Sequence, residues 1–269
     1  MFVEIVLIGI IVSTHRWKIC YIRLAHNIMA GGRKLEFNKQ QALEAAMHVF
    51  WKKGFLGASL ADLTEGMGIN KPSLYAAFGN KESLFVQATE HYLNTYAKPK
   101  NEHLYHTGTP LRERLRNYLL AILSGQCDED NPKGCYVSLC VAEAAGETMP
   151  AQAQNTISQA GNYAQALLTE FLQTDDEAKA LQLDQEAESI ALFLVTTVNG
   201  TAAMARAGKG YAELETVIDR ALTGIGLPAD TRPPVSDQDR CSGLIFRTRL
   251  GHPFSIGDNA LRNHLPRGF

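Results

Sequence analysis

The chain lacks most of what catalytic, secreted and membrane-spanning proteins carry. Its five cysteines in 269 residues include no C-x-x-C pair, so no dense disulfide framework is written into it, and the usage suits a reducing cytoplasm. It has no G-x-S-x-G elbow, P-loop, H-E-x-x-H or strand-linked dinucleotide glycine pattern, which removes the commonest reaction centres. We therefore expect a non-enzyme without cofactor or metal. No apolar run reaches the roughly 20 residues a spanning helix needs. The run MFVEIVLIGIIV is interrupted by Glu4, and His15, Arg16 and Lys18 follow it rather than precede it, the reverse of a secretory signal. An appended segment is the preferred reading, since Met29 opens MAGGRKLEF just before the patterned region. Excess positive charge is missing too: the net charge of -2 excludes a uniformly basic nucleic-acid coat, so any such contact must come from a local patch. Period-2 alternation and repeats of 20 to 50 residues are also absent.

What is present, at 45% hydrophobic and 20% charged residues, is an ordinary globular composition dominated by helical spacing. Asn38 and Gln41 form a start signal, and Leu43, Ala46, Met47 and Phe50 trace one helix face ending at Gly54. Ser59 with Asp62 makes an S-x-x-D start. Leu60, Leu63 and Met67 carry the second helix, and Gly68 supplies a left-handed stop. Asn70 caps a third helix almost at once. Pro72 falls in its first turn, where a missing N–H is harmless, and Leu74 with Phe78 pins the inner face. Lys71, Ser73 and Tyr75 are left on the outer face. Gly79 ends this helix and Asn80 caps the next, which places Lys81 and fresh backbone N–H groups where an anion docks. A helix, a tight glycine turn and a second short helix are the grammar of a helix-turn-helix DNA reader. Lys34, Lys39, Lys52 and Lys53 make the region locally basic.

Beyond Lys81 the pattern stays helical to about Leu227, with loop-like breaks at 98–110, 127–134 and 146–150. Helices are expected from near Leu111, Cys135, Ala151 and Asp184, and over 211–226. In that last helix Leu214, Val217, Ile218, Ala221, Leu222 and Ile225 form the apolar stripe. The segment 190–207 is rich in small residues, which suits either a subunit interface or the central helix of one subunit.

The stretch FNKQQALEAAMHVFWKKGFLGASLADLTEGMGINKPSLYAAFGNKESLF resembles the DNA-binding domain of the TetR/AcrR family of repressors. The resemblance implies an all-α protein: an N-terminal three-helix helix-turn-helix domain, then a C-terminal helical domain for ligand binding and dimerisation. It implies a cytoplasmic homodimer that binds a palindromic double-stranded DNA operator, releases it when a small-molecule effector binds, and has no membrane partner. By position, Lys71 and Ser73 fall where the family reaches base edges, and Pro72 where base contact is apolar. Tyr75 and Lys81 fall where relatives touch phosphates, Ser59 at a capping and phosphate position, and Asn70 completes the expected DNA-binding set. Ala61, Ala76 and Ala77 stand where relatives often carry longer polar side chains. The expected domains are an extension (1–32), the reader (33–82), the effector and dimerisation domain (83–227) and a tail (228–269).

Phe85, Tyr92, Tyr118, Tyr136 and Phe193 are candidate pocket liners, a role that core packing explains equally well. Cys135 follows Lys133 and Gly134 and opens a helix. A cation and a helix N-terminus both favour thiolate, which makes a redox or electrophile-sensing regulator the alternative reading. Cys140 within YVSLCVAE reads as a core residue. His103 and His106 read as solvated rather than as metal ligands. A third reading, from a different class, is an architectural DNA binder without a ligand.

Overall fold

The computed structural model describes residues 37–146 and 148–227. The expected extension (1–32) and tail (228–269), together with Lys34, Cys20 and Cys241, lie outside these residues. Every regular element among the described residues is helical: α1 (Lys39–Gly57), α2 (Leu60–Met67), α3 (Lys71–Phe78) and α4 (Lys81–Tyr92), then a π turn (Leu93–Ala97) and a 3-10 helix (Lys98–Tyr105). There follow α5 (Leu111–Cys127), α6 (Tyr136–Ala144), α7 (Ala151–Thr174), the short α8 (Asp176–Ala180), a 3-10 turn (Leu183–Glu186), α9 (Ala187–Arg206) and α10 (Tyr211–Gly224).

Two expectations about elements are corrected. The stretch 98–110 is mostly 3-10 helix rather than loop, because Asn101 and Leu104, three apart, share the buried face that this tighter winding stacks. The helix expected near Asp184 begins only at Ala187, after a 3-10 turn, and α8 precedes it. Asp175 explains that extra helix. Its carboxylate accepts from the N–H groups of Glu177 and Ala178, starting a new helix where α7 stops. The same carboxylate receives both Arg114 nitrogens, at 2.6 and 3.1 Å, and so ties α5 to the α7–α8 corner. Burial alone would raise the Asp175 pKa, but the Arg114 hydrogen bonds and charge, with the two backbone donors, hold it below the usual carboxylate value.

α7 packs against α4, α6 and α9, which follows from its buried stripe of Ala153, Ile157, Ala160, Leu167, Leu168 and Phe171. Arg116 reaches from α5 to Glu215 and Asp219 on α10, at 2.6 and 2.7 Å. In α10 the expected stripe holds at Leu214, Ile218, Ala221 and Leu222, while Val217 is exposed and Ile225 half-buried. The segment Leu183–Arg206 has the length and mean hydropathy (1.2) of a membrane-crossing helix. Here Ile190, Ala191, Leu194, Val195 and Val198 bury its inner side in the protein's own core.

The described residues from Gln40 to Leu227 cluster as one compact unit. Aromatic rings supply the continuity. Phe50 and Phe55 of α1 meet Phe85 of α4 at 5.2 and 5.0 Å, Phe85 stacks on Tyr136 of α6, and Tyr136 stacks on Tyr92, which meets Trp51 of α1 edge-on at 5.0 Å. Near the end of α1, Gly54 takes φ 71°, and the following N–H, of Phe55, donates to the Glu143 carboxylate of α6 at 2.6 Å. A Cβ on Gly54 would stand 2.1 Å from that carboxylate. Both the left-handed φ and the close approach require glycine. Gly54→Ala is therefore expected to destabilise the protein by about 1–3 kcal/mol, read as a fall in midpoint on chemical denaturation. A midpoint equal to the parent's would show that the kink and the Glu143 contact cost nothing to lose.

Candidate nucleic-acid interface and neighbouring cavity

The short helices of the reader are held by their ends. Ser59 caps α2: its Oγ accepts from the Asp62 N–H at 3.1 Å while the Asp62 carboxylate accepts from the Ser59 N–H at 2.9 Å. Lys53 adds an ion pair to Asp62 at 2.6 Å. These Lys53 and Ser59 donors lower the Asp62 pKa well below the usual carboxylate value. Gly68 closes α2 in the left-handed conformation, φ 65°. Asn70 Oδ1 accepts from the Ser73 N–H at 2.9 Å and starts α3, with Pro72 in its first turn. Asn80 repeats the device on Ser83 at 2.8 Å. An eight-residue helix has little stability of its own; its caps and its buried residues, Leu74 and Phe78, hold it in place.

With Leu74 and Phe78 inward, α3 turns Lys71, Pro72, Tyr75 and Ala76 to solvent and leaves Ser73 half-buried. Tyr75, at 46% exposure, is among the most exposed large side chains of the protein. The expected outer face is therefore present, bounded by Asn70 and by the Ser59 cap. Ser59 is exposed, but its hydroxyl donates to Asp62 at 2.7 Å, so capping occupies it.

Lys81 is placed differently from the expectation of a freely offered ammonium. Its Nζ lies 4.5 Å from the centre of the Phe55 ring, and burial lowers its pKa against the opposing pull of Glu143 and Asp62. The cause is the Gly54 kink, which turns Phe55 into reach of the start of α4.

The second feature is a cavity of about 110 Å³ walled by residues of α1, α4, the Leu93–Tyr105 segment, α5, α6, α7 and α9. Of the expected liners, Tyr92 and Tyr118 are there. Phe85 and Tyr136 are fully buried in the aromatic seam, where the Tyr136 hydroxyl pairs with Thr89 at 2.8 Å. Neither reaches the cavity, because the stack closes over both faces of their rings. Phe193 is also misplaced by sequence reasoning: it stands 45% exposed on the outer side of α9, since Leu194 and Val195 take the inner positions. Trp51, Tyr96, Lys100, Asn101 and Tyr163 line the cavity and were missed. Trp51 adjoins the expected stripe residue Phe50, and that adjacency was the one available signal; Lys100 and Asn101 were hidden in the stretch read as loop.

Cys135 also lines the cavity and is the N-cap residue of α6, with the Tyr92 hydroxyl 3.7 Å from its sulfur. The expected cation beside it is not Lys133, whose ammonium donates to the Cys127 carbonyl at 2.7 Å. Lys100 is the cation that shares the cavity lining with Cys135. Cys140 is fully buried, as expected of a core residue, and burial pushes its thiol pKa far up; burial also raises that of Cys127. His103 and His106 have ring centres 6.1 Å apart, and no group of three metal-ligating side chains gathers among the described residues.

The cavity touches the reader. Tyr96 donates to Glu44 of α1 at 2.5 Å, and Glu44 also pairs with His91. Arg206, at the end of α9, donates to the carbonyls of Trp51 and Cys135 at 3.1 and 3.4 Å.

The chain is similar to known proteins. The family model described as bacterial regulatory proteins, tetR family, matches residues 42–88. The chain is 31% identical to the HTH-type transcriptional repressor BdcR of Escherichia coli (strain K12), over 68% of this chain and 86% of that protein. It is 29% identical to the HTH-type transcriptional repressor ComR of the same organism, over 71% and 90%. Among solved structures, a cysteine mutant of the TetR family transcriptional regulator CifR, complexed with 26-bp double-strand operator DNA, superposes with a TM-score of 0.66. That match has 32% identity and covers 71% of this chain and 98% of that one.

Because Lys81 lies against Phe55, Lys81→Ala is expected to lower stability by about 0.5–1 kcal/mol and to leave the salt dependence of DNA binding unaltered. A slope of log Kd against log salt flatter by about one unit per site would show instead that this ammonium swings out to a phosphate.

Proposed function

Because the chain belongs to the TetR family of bacterial regulatory proteins and is a DNA-binding transcriptional regulator, we propose that it acts in the cytoplasm as a dimeric repressor. Two copies of α3 enter successive major grooves of a palindromic operator, and a small molecule entering the cavity releases them. This reading gives the chain no catalytic turnover. The observation that carries it is the outer face of α3, with Lys71, Pro72 and Tyr75 exposed while Leu74 and Phe78 anchor the opposite side. In such a face, base-edge contacts discriminate sequence and phosphate contacts set register. We assign Lys71 and Ser73 to base edges, Pro72 to apolar base contact, Tyr75 to phosphate, and Ser59 and Asn70 to holding the two helix starts against the backbone. A lysine donates to guanine acceptors in the major groove, whereas a hydroxyl serves several bases, so Lys71 is the specificity residue.

A dimer is supported by the uncovered side of α9. Leu192, Phe193, Thr196, Asn199, Gly200, Ala203 and Met204 recur at helical spacing, all exposed and none charged. Leu192, Phe193 and Met204 are 45–52% exposed, and Val217 of the neighbouring α10 is 42% exposed. Apolar stripes of this extent belong to interfaces. An isologous pairing buries the same stripe on both subunits and sets the spacing of the two readers. Cys135 supports a second reading, a thiol-based regulator, because its sulfur lines the same cavity beside Tyr92 and Lys100. Replacing Cys135 by Ser while oxidant still triggers DNA release would sink that reading.

Footprinting on the DNA adjoining the chain's own gene tests the regulator reading through its operator. Lys71→Ala is expected to cost about 1–3 kcal/mol at one base position and to relax preference there; uniform weakening on every sequence would remove Lys71 from base readout. Met204→Glu is expected to shift the protein from dimer to monomer in sedimentation velocity and to lose operator binding with it. A dimer unaffected by that charge would place the interface elsewhere.

A further inference from the structure

The cavity has an unusual charge balance. Among the described residues, Lys100 is the one cationic side chain in its lining, and none of the lining residues is a carboxylate. The Lys100 ammonium donates to the Tyr96 carbonyl, and burial lowers its pKa with only the Cys135 thiol acting against that. A half-buried cation without a counter-charge is a poor way to stabilise a fold. Two further polar atoms of the lining residues are buried without partners: Trp51 Nε1, a donor, and Asn101 Oδ1, an acceptor. Their residues are 2% and 8% exposed. Native interiors seldom leave such groups unpaired. A lysine, an indole and an amide side chain thus belong to the wall of one chamber, with the indole N–H and the amide oxygen buried and unpartnered, and its other walls include the rings of Tyr92, Tyr96 and Tyr118.

Size narrows the occupant further. An apolar cavity of roughly 150 Å³ admits benzene, so the smaller volume of about 110 Å³ sets one ring as the upper limit and excludes two fused ones. The ring faces favour an aromatic body, the cation favours an anionic substituent, and Asn101 Oδ1 favours a hydroxyl or amine donor on the ligand.

We propose that this cavity binds a single-ring aromatic carboxylate, held by Lys100 with Trp51 Nε1 and Asn101 Oδ1 as further partners, and that its occupancy acts on the reader directly through Trp51. The proposal rests on the effector-release reading above and names the ligand class for it. Trp51 belongs to α1 of the reader, and its carbonyl is held by Arg206, so a ligand touching its indole needs no intervening element to reach α1, which Lys53 ties to Asp62 of α2. Tyr96 is a second route, since it lines the cavity and donates to Glu44 of α1.

Titration calorimetry on the full chain with 4-hydroxybenzoate and with its uncharged analogue 4-hydroxybenzamide tests the site. The acid is expected to bind at least ~10-fold tighter than the amide, and Lys100→Met is expected to erase that preference. Equal affinities in the parent protein, no binding of either, or a preference that survives Lys100→Met would overturn the anion site. The direct action is read from operator affinity with and without the acid. The acid is expected to weaken DNA binding by at least ~10-fold in the parent, and Trp51→Phe, which keeps a ring but removes the N–H, is expected to blunt that effect. Acid binding that leaves DNA affinity unchanged would overturn the action through Trp51. A chain that prefers the acid yet binds no DNA even without it would instead overturn the regulator reading and leave the anion site standing.

Discussion

The structure depends on a run of aromatic rings that crosses from the reader into the helical body. Phe50 and Phe55 from α1, Phe85 and Tyr92 from α4, and Tyr136 from α6 lie in successive contact, with Trp51 edge-on to Tyr92. Each ring buries a large apolar surface, and each pair adds a geometric preference for edge-to-face or offset packing. The first helix of the reader therefore shares its aromatic packing with the helical body. That helix is half of a seam whose other half belongs to the helical body, so a displacement on one side has to be accommodated on the other. The Phe55 N–H to Glu143 bond and the Arg206 clasp on Trp51 and Cys135 fix the register at which the two halves meet.

The same seam explains why the cavity lies where it does. Tyr92 and Trp51 present one side to the stack and line the cavity as well, so the space begins where the close packing of rings ends. Polar groups that the seam cannot use, the indole N–H and the Asn101 oxygen, are left without partners beside that space. The thiol of Cys135 shares it, held by the start of α6. Trp51 and Tyr92, which join reader to body, also form part of the chamber wall.

The seam also accounts for a reader residue, Lys81, that behaves unlike its expectation. Lys81 has the right position in the chain to meet a phosphate, but the backbone reversal at Gly54 brings the Phe55 ring to within 4.5 Å of its ammonium. An aromatic face and a lysine at the start of the next helix then satisfy each other. Lys71 has no such ring and stays exposed.

Much of the reader was legible in the sequence because its determinants are local. Ser59 with Asp62, Gly68, Asn70, Pro72 and Asn80 act over three or four residues, and each takes its expected place as a cap, stop or first-turn residue. The inward pair Leu74 and Phe78, and hence the outward set at Lys71, Pro72 and Tyr75, follow from the helical period alone. The body was legible only as a succession of helices. Periodicity states that a residue is buried without stating against what, so Phe85, Tyr92, Tyr118, Tyr136 and Phe193 looked alike in the chain. Tertiary packing separated them: two line the cavity, two are sealed in the ring stack and one faces outward. Tyr92 meeting Cys135 and Gly54 meeting Glu143 join positions 43 and 89 residues apart. No local rule reaches that far; such pairings arise only when the helices pack.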